Sequence, residues 1–204
     1  MLTIFSFFPT PVWAIQLPND DAARINLKAM DLIETFRGQT PGIGPNDPWQ
    51  TPNNLEDRPE LQELMVYVKK TVSDALNDLH IVYDSFLVTG CWASIKPRGV
   101  GHGIHMHPNN FFGGVYYVRA PGEGGEILFH DPRTQNSVTL PRIAKENEYN
   151  TRTFRMPVRD GMLILFPAWL SHSVTKNSSE TERVSISFNV QFEQLGDNMA
   201  RPRW

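Results

Sequence analysis

Apolar residues recur at helical spacing through the first eighty positions of the chain, and from Phe86 onward they recur at every second residue. Ile25, Leu27, Met30, Leu32, Ile33 and Phe36 share one broad face, which predicts a helix capped by Asp20 or Asp21 and running to about Arg37. A second helix is predicted from Pro59 to about Leu79 by Leu61, Leu64, Met65, Val68, Val72, Ala75, Leu76 and Leu79. The stretch between them, Gly38 to Asn54, is rich in Gly, Pro and Asn and reads as an ordered loop or lid. The period-2 region predicts strands at Phe86 to Lys96, Ile104 to His107, Gly113 to Val118 and Glu126 to Phe129. It predicts four more at Thr151 to Met156, Met162 to Phe166, His172 to Thr175 and Arg183 to Glu193. Two helices followed by such a series of strands predict a mainly β fold, a β-sandwich or jelly roll backed by two N-terminal helices.

The last predicted strand has two unlike faces. Val184, Ile186, Phe188 and Val190 alternate with Arg183, Ser185, Ser187 and Asn189, so one face packs and the other meets something polar. An edge strand facing water gives the same alternation.

A length of 204 residues fits one domain, here 1–204, large enough to bury a core without staples. The single cysteine, Cys91, has no internal disulfide partner, which makes a reducing compartment the expectation and the cytoplasm the expected location. The opening MLTIFSFFPTPVWAIQLP is apolar, but it has no basic residue ahead of the apolar run and carries Pro9 and Pro11. It is expected to be a strand entering the core. No stretch approaches the roughly 18 uninterrupted apolar residues of a membrane helix. The net charge of −3, with Lys and Arg scattered apart from the tail Arg201, Pro202, Arg203, gives no clear nucleic-acid signature.

The chemistry resides in histidines. His105 and His107 are two residues apart, so on a strand their rings project from one side and can converge on one ion. Such a pair alone also describes two surface histidines beside a loop. A third, His172, follows the Asp160-Gly161 turn, a short apolar strand and the Pro167 to Ser171 turn, a layout that delivers an imidazole from a distant strand to a barrel mouth. Eleven residues on, Arg183 opens the two-faced strand, where a guanidinium can clamp a carboxylate and Ser185 adds a hydroxyl. From neighbouring strands, Tyr117 shares a face with Val115, while Trp92 and Ser94 share another. Trp49 and Trp169 are expected to pack.

The pairing of His172 with Arg183-Val-Ser185 resembles the distal histidine and co-substrate arginine of the 2-oxoglutarate/Fe(II) dioxygenases. More narrowly, the chain is similar to a family of small bacterial and phage 2-oxoglutarate oxygenases, through Phe8-Pro9-Thr10-Pro11-Val12, Trp92, His105-Met-His107-Pro108 and Gly114-Val-Tyr-Tyr-Val118. The likeness continues in Phe129-His-Asp-Pro-Arg133, Phe166-Pro-Ala-Trp-Leu-Ser-His172 and Arg183-Val-Ser-Ile-Ser-Phe-Asn189. The resemblance implies a double-stranded β-helix that uses Fe(II), 2-oxoglutarate and O2 and releases succinate and CO2 while hydroxylating a substrate. That substrate, a small molecule or a peptide, is not legible. His105, His107 and His172 then hold the metal, and Arg183, Ser185, Asn189, Tyr117 and Ser94 face the co-substrate.

One position departs from the pattern. The usual triad is two histidines and a carboxylate, and position 107 is histidine. Three assignments stay open: His107 as third ligand, His107 beside a water-filled position, or Asp131 as a carboxylate from elsewhere. Same-side geometry favours the first, and Asp131 in Asp-Pro-Arg suits a turn. His102, between Gly101 and Gly103, is expected on a mobile loop. A cupin-type metal enzyme is the rival, but it would normally place a glutamate where Asn109 to Phe112 stand, and it has no need of Arg183. A non-catalytic jelly-roll binding module is the third reading.

Overall fold

A computed structural model describes residues 2–193 apart from 45 and 123. The basic tail at Arg201 and Arg203 lies outside the described residues. Helix α1 spans Asn19–Gly38, and α2 spans Gln62–Asp78 after a 3-10 turn at Pro59–Leu61. The strands are β1 (Trp13–Gln16), β2 (Trp49–Gln50), β3 (Phe86–Lys96), β4 (His102–His105), β5 (Phe112–Arg119), β6 (Ile127–His130), β7 (Thr153–Met156), β8 (Met162–Pro167), β9 (His172–Val174) and β10 (Arg183–Phe192). They form a six-stranded sheet in the order β1-β8-β5-β10-β3-β2 and a four-stranded sheet in the order β4-β9-β6-β7. This is the predicted jelly roll with two helices at its back.

The two faces of the large sheet have different partners. Cys91, Ala93, Ile95, Tyr116, Val118, Leu163, Leu165, Val184, Ile186 and Phe188 pack with Ile25, Ile33, Leu64, Val68 and Val72 of the helices. Tyr116 fixes this contact by donating its hydroxyl to Asn26 Oδ1 at 2.7 Å. The opposite face turns toward the small sheet, where Val115, Tyr117, Ile164 and Phe166 meet Ile127, Phe129 and Leu170. Strand β10 lies between β5 and β3 rather than at an edge, so its polar face looks into the space between sheets. Arg183 and Ser185 are consequently buried.

Several expectations are corrected. The opening segment enters the sheet only at β1; Phe5, Phe7 and Phe8 are exposed, because Pro9 and Pro11 lack ladder donors and β8 offers β1 only four partners. The segment from Gly38 to Asn54 is an ordered loop, the first of its two expected forms, anchored where Trp49 pairs opposite Ile95 and is buried and where Asn54 bridges Cys91. Leu27 of α1 and Trp169 are exposed rather than packed. His102 sits in β4 opposite Val174, not on a loose loop. The strand expected to reach His107 stops at His105, although His107 N–H still donates to Ala168 O at 2.9 Å.

The six-stranded sheet also depends on one turn glycine. Gly161 takes φ +73°, and a Cβ there would come within 2.6 Å of Ala22 Cβ on α1. No helix among the described residues is long and apolar enough to cross a membrane.

Candidate metal centre and anion cavity

Strands β4 and β9 run antiparallel with His105 directly opposite His172, and His107 follows two residues later on the same side, with exposed Met106 between them. The three rings converge: one nitrogen from each lies within 4.8 Å of the other two. His107 Nε2 and His172 Nε2 are 3.2 Å apart. Two ligands in adjacent positions around a metal at about 2.1 Å would be separated by about 3.0 Å.

The remaining ring nitrogens fix the tautomers. His105 Nδ1 donates to Gly103 O at 2.9 Å, and His172 Nδ1 donates to Leu170 O at 2.9 Å. His107 Nδ1 bonds Asn189 Oδ1 on β10. Carbonyl oxygens only accept, so each Nδ1 carries the proton and each Nε2 presents a lone pair. Burial pushes His172 down to about 3 against the opposing pull of the Leu170 carbonyl, and it lowers His107 against the Asn189 bond. Both rings are therefore neutral at physiological pH, the form that binds metal. The donor set suits a divalent transition ion, and among the described residues no carboxylate joins it. Asp131 instead takes both Arg133 N–H groups of the fork at 2.9 Å and the Arg133 backbone N–H at 3.0 Å, as a turn residue does.

The histidines form one end of a cavity of about 60 Å³ between the sheets. Its walls include Trp92, Ser94, Tyr117, Phe166, Ser185 and Ser187, and its other end is Arg183 with Lys96. Arg183 is only 4% exposed, and its Nη1 donates to Gly125 O at 3.2 Å. Burial lowers the Arg183 pKa, and burial followed by repulsion from Arg183 lowers that of Lys96. Burial raises the Tyr117 phenol to about 12, with Arg183 pulling the other way. His102 stacks on His105 with centroids 4.1 Å apart, but it is outside the converging set.

The cavity thus gathers Ser94, Tyr117, Arg183 and Ser185 with the three histidines. Asn189 is the exception, because its oxygen holds His107 instead of lining the cavity. Lys96 and Gly125 are missed by sequence reasoning. A lysine ending a strand before Pro97 reads as solvent-facing, and only the β3 to β10 register reveals its position. A larger groove, about 690 Å³, opens beside the centre between Phe5, Phe7 and Phe8 on one side and Phe129, Tyr149, Phe154 and Leu170 on the other. Phe129 separates the two spaces, with its ring 6.3 Å from that of His172 and 5.3 Å from that of Phe166.

Residues 90–189, which contain all three histidines, Lys96 and Arg183, match the model of a protein family described as "Putative 2OG-Fe(II) oxygenase". No curated protein matches the sequence. Solved structures of similar fold include a Pseudomonas putida prolyl-4-hydroxylase, with 12% identity, a TM-score of 0.62, and coverage of 90% of this chain and 94% of that one. HygX from Streptomyces hygroscopicus, solved with nickel and 2-oxoglutarate bound, has 12% identity and a TM-score of 0.62 over 90% of this chain and 83% of that one. A prolyl hydroxylase from Trichoplax adhaerens, in complex with a hypoxia inducible factor peptide fragment, has 14% identity and a TM-score of 0.59 over 93% and 87%. At these identities the likeness speaks for the fold.

Proposed function

The chain carries a 2-oxoglutarate/Fe(II) oxygenase domain, and from that premise we propose that His105, His107 and His172 hold the iron while Arg183 receives the distal carboxylate of 2-oxoglutarate. The observation that carries this reading is the single cavity with three free Nε2 lone pairs at one end and a buried guanidinium at the other. When bound, Fe(II) with the 2-oxo acid and O2 supplies oxidative decarboxylation to succinate and CO2, coupled to hydroxylation of a second substrate.

The protein's own contribution is orientation and charge. His105, His107 and His172 would hold the ion through three imidazole nitrogens, leaving coordination positions for the co-substrate and O2. Arg183 offers a planar fork of donors matched to a carboxylate, and its burial strengthens that bond. Ser185 and Ser94 add hydroxyls from paired positions on β10 and β3, and Tyr117 adds a phenol that stays protonated at neutral pH. Phe166, Trp92 and Val115 keep the walls apolar, so the charged ends act with little screening by water. The primary substrate is a small molecule or a peptide, and the groove past Phe129 is the surface open to it.

Anaerobic addition of Fe(II) and 2-oxoglutarate tests the reading. The expected result is the visible charge-transfer band of a chelated 2-oxo acid, followed by succinate formation once O2 is admitted. A protein that takes up Fe(II) and gives neither the band nor succinate contradicts it.

A further inference from the structure

Lys96 is the last residue of β3 and the register partner of Arg183, the first residue of β10. Both side chains line the cavity, and Arg183, with Lys96 opposite it, stands six residues along β10 from Asn189, which holds His107. Two cations thus share one small apolar-walled space, and among the described residues neither makes an ion pair with a carboxylate. Gly125 O accepts one Arg183 donor, and among the described residues no other acceptor takes a hydrogen bond from the guanidinium. Burial first, and then repulsion from Arg183, also depress the lysine. An arrangement so costly is relieved by a guest bearing a carboxylate, which both cations can share.

We propose that Lys96 and Arg183 form a preassembled two-cation subsite for the distal carboxylate of a dicarboxylic acid, and that it works without the metal. This rests on the reading that the co-substrate is 2-oxoglutarate, and adds to it a specificity-determining residue and a grip on the distal carboxylate that does not depend on the metal. Lys96 sets the preference for 2-oxo acids bearing a second carboxylate over those lacking one. Because the subsite does not need a chelating 2-oxo group, it also takes a simple dicarboxylate such as succinate. Trp92 and Ser94 precede Lys96 at alternate positions on β3, so the same strand that shapes the middle of the cavity places its second charge.

Calorimetric titration of the chelator-treated protein with succinate and 2-oxoglutarate tests this, with 2-oxobutanoate, which lacks the distal carboxylate, titrated into the Fe(II)-loaded protein. Wild type is expected to bind both dicarboxylates without metal. Lys96→Met keeps the aliphatic stem but weakens both at least tenfold, leaves 2-oxobutanoate and Fe(II) binding at wild-type strength, and Lys96→Arg restores the dicarboxylates. Wild-type dicarboxylate affinity in Lys96→Met, or no succinate binding by metal-free wild type, overturns the proposal while leaving the oxygenase reading intact. Failure of Fe(II)-loaded wild type to bind any 2-oxo acid instead removes the reading on which the proposal rests.

Discussion

Asn189 on β10 accepts the Nδ1 proton of His107, tying a ring from the end of the small sheet to the central strand of the large one. The bond joins the two sheets at the metal centre and turns His107 Nε2 toward His172. Removing it frees the ring to rotate. Asn189→Ala is expected to weaken Fe(II) binding by about tenfold to a hundredfold, the usual cost of losing a partner that orients a ligand, with 2-oxoglutarate binding affected only through the metal. Competition titration against a chromogenic chelator measures it; an unchanged metal affinity would mean that His107 is held by its packing against Trp92.

His107 occupies the place of the carboxylate in the two-histidine, one-carboxylate pattern. If it is a ligand, His107→Ala loses metal affinity, and His107→Asp, which supplies an oxygen donor at the same position, recovers part of it. Metal titration of the two variants side by side separates this from a positioning role, for which both substitutions would be alike.

Arg183→Ala should separate the two ends of the cavity. Deleting one partner of a buried charge pair costs about 2–5 kcal/mol, so 2-oxoglutarate affinity should fall by at least about thirtyfold while Fe(II) affinity holds. Equal losses of both would count against the assigned role.

Gly125 has φ +75°, and a Cβ added to it would lie 2.9 Å from Arg183 Cδ. Gly125→Ala therefore strains the backbone by about 1–2 kcal/mol and pushes the guanidinium stem out of place. A lowered denaturation midpoint together with weaker 2-oxoglutarate binding is expected; a lowered midpoint with unchanged binding would show that Arg183 adjusts freely.

Strand β3 follows the predicted bounds, Phe86 to Lys96, although its alternation slips at a bulge near Thr89, where the core-facing set changes from Phe86 and Val88 to Cys91, Ala93 and Ile95. The polar face of β10 was equally legible as a pattern, but not its destination: water at an edge and a cavity between sheets demand the same alternation, and only the flanking β3 and β5 distinguish them. Strand β4 lies two residues before its predicted place, because His102-Gly-Ile-His105 is short, polar and interrupted by glycine. The opening aromatic run carries a core-like composition yet stays at the surface, since Phe5, Phe7 and Phe8 wall a groove that no local pattern encodes. Asn189 shares a face with Arg183, which places it toward the co-substrate by pattern alone; its distance along β10 brings it to His107 instead. Lys96 needed the register itself.

The most direct measurement is a crystal structure of the protein with Mn(II) in place of Fe(II) and with 2-oxoglutarate, grown without O2. The account predicts one ion at about 2.0–2.2 Å from the Nε2 atoms of His105, His107 and His172, chelated by the 2-oxo acid, whose far carboxylate meets Arg183. An ion held by His105 and His172 with water in place of His107, or a co-substrate whose far carboxylate points away from Arg183, would contradict it.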